Sequence, residues 1–263
     1  MTDLSRRVLF RAAGAATALP GAAAAQARPP TEAPRPHEYS HAHRAPSAAR
    51  AAAAPQAPLP FRFFNPAEAA FVEAAVDRLI PADNQWPGAV WAGVPHYIDQ
   101  QLAGAYGQGA RFYASGPWQK GLPSQGYQLP LNPAQLYRVS LGAIAQELQR
   151  RRLDFAKAPP QRKDAFLREL EDGKIQLAGN PSSEFFETLL ANTIEGFLSD
   201  PSYGGNRDMV GWRMIGFPGA YGAYLGLYTN HGMRFEREPM SIATRGQAHD
   251  HGHAHDQGAQ RRG

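Results

Sequence analysis

Three Asn-Pro pairs punctuate this chain, at Asn65-Pro66, Asn132-Pro133 and Asn180-Pro181, and they constrain its fold more than any bulk property. An Asn side chain can accept from the unpaired N–H groups at a helix start, and a proline just inside the helix has its φ already set. Glu68 and Gln135 stand three residues after the first two asparagines, completing a capping-box pattern. Each pair therefore predicts the start of a helix.

The apolar spacing that follows agrees. Helices are expected from Pro66 to about Ile80 (face Val72, Val76, Leu79), from Pro95 to Leu102 (Ile98, Leu102), and from Pro133 to about Phe155 (Leu136, Val139, Ala143, Ile144). A fourth is expected from Gln161 to Asp172, with Phe166 and Leu170 inward and Gly173 just beyond its end. The fifth, Ser182 to Leu198, carries Phe186, Leu189, Leu190, Ile194 and Phe197 and is the expected central helix. A short sixth runs from Asp208, as its cap, to Ile215 before Gly216. No segment alternates as a half-buried strand does, so the expected class is mostly α: a single compact helical domain with long Gly/Pro/aromatic loops.

The ends have a different composition. Ser5-Arg6-Arg7-Val8-Leu9-Phe10 reads as the basic region of a twin-arginine export signal, with Arg6 and Arg7 as the recognised pair. An Ala/Gly-rich stretch and the small-residue site Ala25-Gln26-Ala27 follow, which places the signal at 1–27. Residues 28–60 are rich in Pro and Ala without a hydrophobic period and are expected to be a disordered linker. The helical domain is expected over 61–240 and a disordered His-rich tail over 241–263.

The chain has no cysteine, which excludes disulfides, thiolate nucleophiles and the thioether attachment of c-type haem. Its net charge of +4 suggests an acidic partner until the charge is located. Between Phe61 and Met240, 17 Lys and Arg face 18 Asp and Glu, so the basic excess sits in the ends. No nucleic-acid partner is expected, because phosphate binding needs clustered charge on the domain. Arg150-Arg151-Arg152 reads instead as a solvated helix end.

Catalytic signatures are missing. Gly107-Gln108-Gly109 lacks the third glycine of a dinucleotide-binding turn, Phe112 standing in its place, and neither a phosphate-binding loop nor a nucleophile-elbow serine occurs. His96 and His231 read as structural. His249, His251, His253 and His255 are weak metal candidates: alternating imidazoles capture transition metals, but no rigid frame holds these. The carboxylate pairs Asp77 with Asp83 and Glu195 with Asp200 are of a kind any chain this long supplies. Two readings stand for the long Gly104 to Leu131 connection with Tyr106, Phe112, Tyr113, Trp118 and Tyr127: rings pinning a loop to its core, or a binding surface.

The densest block runs from Glu195 through Asp200-Pro201-Ser202-Tyr203-Gly204-Gly205-Asn206-Arg207-Asp208 and Trp212 to Gly216-Phe217-Pro218-Gly219. It reads as a sharply turned crossing between helices that exposes Tyr203, Asn206, Arg207 and Trp212, residue types favoured as interface anchors. The block resembles the small, non-catalytic subunit 3 (gamma) family of gluconate 2-dehydrogenase. Leu79-Ile80-Pro81-Ala82-Asp83, Gly93-Val94-Pro95 with Ile98-Asp99, and Ala105-Tyr106-Gly107-Gln108-Gly109-Ala110 with Gly116-Pro117 are similar in the same order, so the likeness spans about Phe63 to Tyr221.

The resemblance implies a periplasmic complex, peripheral to the inner membrane, in which an FAD-dependent flavoprotein oxidises a sugar, sugar acid or polyol and a multihaem cytochrome c subunit takes the electrons. The small subunit would bind the flavoprotein and supply the signal read by the twin-arginine translocase. FAD and haem c are then expected on partner subunits, with no cofactor and no catalytic residue in this chain. The expected partner interface is Asp200, Pro201, Tyr203, Gly204, Gly205, Asn206, Arg207, Asp208, Trp212, Phe217 and Pro218. Two alternatives stand beside it: a stand-alone periplasmic enzyme using carboxylates such as Asp83 or Glu195, and a metal-handling protein acting through the tail.

Overall fold

The computed structural model describes residues 60–112, 115–119, 121–122, 125–221 and 237–243. The signal with Arg6 and Arg7, the linker, Tyr113, His231 and the tail histidines 249, 251, 253 and 255 lie outside the described residues. The described residues fall into two compact units. The smaller lies within Gln119–Gln128 and holds a turn in which the Leu122 N–H donates to Gln125 Oε1 at 2.7 Å. The larger holds all the α-helices found among the described residues and is mostly α, as the sequence predicts.

Six α-helices occur among the described residues: α1 Pro66–Leu79, α2 Val94–Ala103, α3 Pro133–Arg150, α4 Pro160–Glu171, α5 Ser182–Leu198 and α6 Val210–Ile215. Both predicted capping boxes form. Asn65 accepts from Ala67 and Glu68 while Glu68 accepts from Asn65, and Asn132 and Gln135 exchange the same pair of bonds. Helix α4 ends as expected, with Gly173 in the left-handed region (φ 71°) and the Lys174 N–H bonded back to Glu169 O at 2.9 Å.

Four expectations are corrected. Asn180-Pro181 is not a helix start: it forms strand β2, paired antiparallel with β1 (Gln176–Leu177), and Pro181 takes the cap position of α5 without a side-chain bond. Helix α3 stops at Arg150 rather than Phe155, because Arg152 turns left-handed (φ 51°) and the Leu153 N–H closes onto Leu148 O. Its buried stripe is Leu136, Tyr137, Ser140, Leu141 and Ile144, which leaves Val139 and Ala143 half-buried at its margin. Leu79, Leu190 and Ile194 are likewise half-buried, while Phe71, Phe185 and Ile80 go fully or nearly fully inside.

Helix α5 is central, packing against α1, α2, α3, α4 and α6. Two ring clusters fill the space around it. Phe71, Phe155 and Phe166 join α1, the α3–α4 connection and α4 at centroid distances of 4.7 to 6.4 Å. Tyr137 lies 6.2 Å from Phe64 and 5.3 Å from Phe185, tying α3 to α5 and to the segment before α1. That segment is fixed by buried Asp99 on α2, whose carboxylate accepts from the N–H groups of Arg62, Phe63 and Phe64 at 2.7 to 2.9 Å.

The arginine triplet is exposed at the end of α3, and two of its members are paired there. Arg150 and Arg151 grip Glu147, Arg151 also reaches Glu169 at 2.7 Å, and its guanidinium lies 5.3 Å from the centre of the Phe166 ring. No helix among the described residues is long and apolar enough to cross a membrane.

Candidate functional site

Helix α5 creates the site by the way it ends. Its sequence runs Leu198-Ser199-Asp200-Pro201 with no glycine to close the last turn, so its terminal carbonyls need partners from elsewhere. The following loop returns to supply them. Trp212 Nε1 donates to Leu198 O at 2.7 Å, and Asn206 Nδ2 donates to Ser199 O at 2.8 Å. The other end of the Asn206 amide accepts the Gly211 N–H at 2.7 Å, fixing the first turn of α6.

Asp200 starts the return. Its Oδ1 accepts the Ser202 N–H at 2.9 Å, making a short 3-10 turn at Pro201–Tyr203 that Gly204 ends. At Gly205 the backbone lies directly on α5: a Cβ there would stand 2.1 Å from Gly196 O. Asn206, Asp208 and Met209 all have φ between 47° and 55°, a region costly for residues other than glycine. The two fixed bonds of Asn206 hold this strained turn in place.

The expected interface therefore divides in two. Asn206 (0% exposed) and Trp212 (6%) face inward and close α5 and α6, so they are not the surface anchors their residue types suggested. Gly205 is buried with them. Asp208, expected to cap α6, accepts from Arg213 Nε through its backbone carbonyl at 3.1 Å; the cap residue is Met209, which makes no side-chain bond, and the first turn is met by Asn206 instead. Tyr203 (54%) and Phe217 (43%) are outward, as are Gly204, Arg207 and Asp208, while Asp200, Pro201 and Pro218 are half-buried. Phe217 packs edge-on against Trp212 at 5.2 Å.

Residues 238–242 lie along this loop. Ser241 Oγ donates to Asp200 Oδ1 at 2.7 Å and the Ile242 N–H donates to Asp200 Oδ2 at 2.9 Å. Met240 bridges to Gly219 in parallel, and Glu238 pairs with Arg213. Ser241 is buried, so the first residues of the expected tail pack with the helical unit. Burial acts to raise the Asp200 pKa, but the bonds from Ser202, Ile242 and Ser241 outweigh it and hold the carboxyl below its ordinary range.

A second loop, Pro81 to Gly93, meets the first. Asp83 Oδ1 accepts from the Gln85 and Trp86 N–H groups at 2.8 and 2.7 Å, and the Arg207 N–H donates to Ala92 O at 3.0 Å. Gly93 (φ 84°) allows the contact, since a Cβ there would stand 2.8 Å from Gly204 O. The Arg207 guanidinium sits 5.6 Å from the centre of the half-buried Trp91 ring, and Val90 beside it is exposed. Trp91 and Val90 escape a reading of the densest motif alone. The residue that brings them to the site is Gly93, at which the second loop touches the first.

On the neighbouring face, Tyr106 Oη donates to Asn192 Oδ1 at 3.1 Å and Asn192 Nδ2 donates to buried Tyr137 at 3.0 Å. Tyr106 thus pins the start of the long connection, and exposed Phe112 lies edge-on to it at 6.0 Å. Burial, then Glu195, pushes Tyr97 up to about 12; burial raises Glu195 as well, although its residue surface is open to solvent. His96 stacks on Phe61 at 4.4 Å. No group of three or more metal-ligating side chains occurs among the described residues. Gly107 to Gly109 lies in a turn after α2 with no strand before it, so it offers a dinucleotide none of the strand–turn–helix geometry such cofactors need.

The description "gluconate 2-dehydrogenase subunit 3" belongs to a family model that matches residues 66–219. No curated protein and no solved structure matches the chain.

Proposed function

The chain belongs to the gluconate 2-dehydrogenase subunit 3 family, and from this premise we propose that it is the non-catalytic small subunit of a periplasmic FAD-dependent dehydrogenase complex acting on a sugar, sugar acid or polyol. It binds the flavoprotein subunit, associates through it with a multihaem cytochrome c subunit, and carries the flavoprotein through the twin-arginine translocase on the strength of Arg6 and Arg7. The complex is peripheral to the inner membrane.

The supporting observation is the division of the 200–218 loop. Its inner residues, Gly205, Asn206 and Trp212, are engaged in closing α5, so the loop is held rigid while Tyr203, Arg207 and Phe217 face outward. A rigid surface bearing aromatic and arginine side chains suits a protein partner, since little entropy is lost when it docks. The Asp83 carboxylate holds the Gln85 and Trp86 N–H groups, which counts against its part in a stand-alone enzyme. FAD and haem c belong to the partners in this reading: the chain has no cysteine for thioether attachment.

Co-expression of the flavoprotein with the Arg6→Lys, Arg7→Lys chain tests the escort role. Both proteins are expected to remain in the cytoplasm, and a flavoprotein that reaches the periplasm unaided overturns it. Affinity purification of the full chain from periplasm should bring down flavin and haem c absorbance together.

A further inference from the structure

Several arginines at the surface of the helical unit are neutralised by a carboxylate. Arg78 holds Asp164 at 2.7 Å, Arg138 holds Glu68, Arg151 holds Glu147 and Glu169, and Arg213 holds Glu238. Arg207 differs. Its backbone is locked to the second loop through Ala92 O and its guanidinium is seated by the Trp91 ring, yet its side chain makes no ion pair among the described residues, adjacent Asp208 included. A guanidinium lying against a ring keeps its in-plane N–H edge open to a planar acceptor, and a carboxylate takes two parallel bonds from that edge. Val90, next to Trp91 in the second loop, and Tyr203, in the first, are exposed.

We propose that Arg207, Trp91, Val90 and Tyr203 form the receptor for an acidic segment of the flavoprotein subunit, whose carboxylate is bound by Arg207 while apolar side chains beside it cover Val90 and Tyr203. This deepens the subunit reading above and rests on it. Charge complementarity selects the occupant: an exposed cation seated by a ring and without an ion pair among the described residues fits an anionic group, and the exposed apolar side chains of the two loops fit a polypeptide. The contribution of Trp91 is to orient the guanidinium, so Lys at 207 cannot replace it fully.

The affinity of the full chain for the purified flavoprotein subunit tests this, measured from about 0.05 to about 0.5 M salt. Arg207→Glu is expected to weaken the complex by roughly thirtyfold or more, as for loss of one member of a close interfacial charge pair. It should also remove most of the salt dependence seen with the native chain. Arg207→Lys and Trp91→Ala should lie between the two, and Arg162→Ala on α4 should leave binding unchanged. Circular dichroism melts matching the native chain exclude misfolding as the cause.

Native-like binding by Arg207→Glu overturns the assignment and leaves the subunit reading intact. A native chain that forms no complex at all overturns both. If Arg207→Glu instead converts a self-associated chain to monomer and leaves flavoprotein binding unchanged, the surface joins two copies and the proposal fails.

Discussion

Asp200 and Ser241, forty-one positions apart, are joined by a 2.7 Å hydrogen bond from the Ser241 hydroxyl to Asp200 Oδ1. The same carboxylate starts the turn after α5 through Ser202 and receives the Ile242 N–H. One side chain thus caps the outgoing loop and anchors the returning segment. Asp200→Ala should cost about 1–3 kcal/mol, from the lost cap and the N–H groups left unpaired. Because residues 237–243 are held by this group, limited proteolysis should cut that segment faster in the variant.

Three carboxyls among the described residues lie below their ordinary range, Asp154 among them through its bond from Lys157, and two of these sit in the bonded networks described above. Glu147 is held down to about 2 by hydrogen bonds from Arg150 and then Arg151, and Asp200 lies below its ordinary range. A depressed pKa means that the unfolded chain binds the proton first as pH falls. Their stabilisation is therefore complete above about pH 5 and is lost as pH falls through roughly 4.5 to 2. Melting temperature measured over that window should fall, and Glu147→Gln should flatten the fall; an unchanged slope refutes the assignment.

Gly205→Ala is expected to be among the most damaging small changes in the chain. The added methyl meets Gly196 O at 2.1 Å, backbone against backbone, so no side chain can move aside. A cost of about 3 kcal/mol, the upper end for overpacking, corresponds to a melting temperature lower by roughly 6–12 °C for a domain of this size.

Trp212→Phe separates structure from docking. It removes the donor to Leu198 O and should destabilise by about 1–3 kcal/mol in urea unfolding. At a temperature where the variant is folded, its affinity for the flavoprotein should remain within about threefold of native, since a buried ring cannot touch a partner directly. A large affinity loss in a fully folded Trp212→Phe would place the ring in the interface after all.

Asp99→Ala should release the segment before α1. Three N–H groups lose their acceptor, that of Phe64 in a buried position, a loss of about 1–3 kcal/mol, and hydrogen exchange at Arg62, Phe63 and Phe64 should rise well above that of α5.

Local chemistry explains which elements were legible beforehand. The helix starts at Asn65-Pro66 and Asn132-Pro133 follow from cap and proline acting within four residues, and Gly173 ends α4 for an equally local reason. Asn180-Pro181 has the same letters but lacks the Glu or Gln of a capping box, and pairing with Gln176-Leu177 draws it into a strand. Arg152 ends α3 in a left-handed turn that its own residue type does not favour.

For the site, the sequence by itself determined that a dense Gly, aromatic and charged crossing follows α5, that the chain has no thiol chemistry, and that helices dominate. Only the tertiary structure decided which residues of that crossing are surface. Asn206 and Trp212 turn inward because the last carbonyls of α5 lack local partners and must be met by groups from the returning chain. Arg207 meets Trp91, 116 positions earlier, because Gly93 and Gly204 let two loops touch. Caps and periodicity act over a few residues and are written in sequence, whereas burial and long-range pairing depend on how distant segments meet.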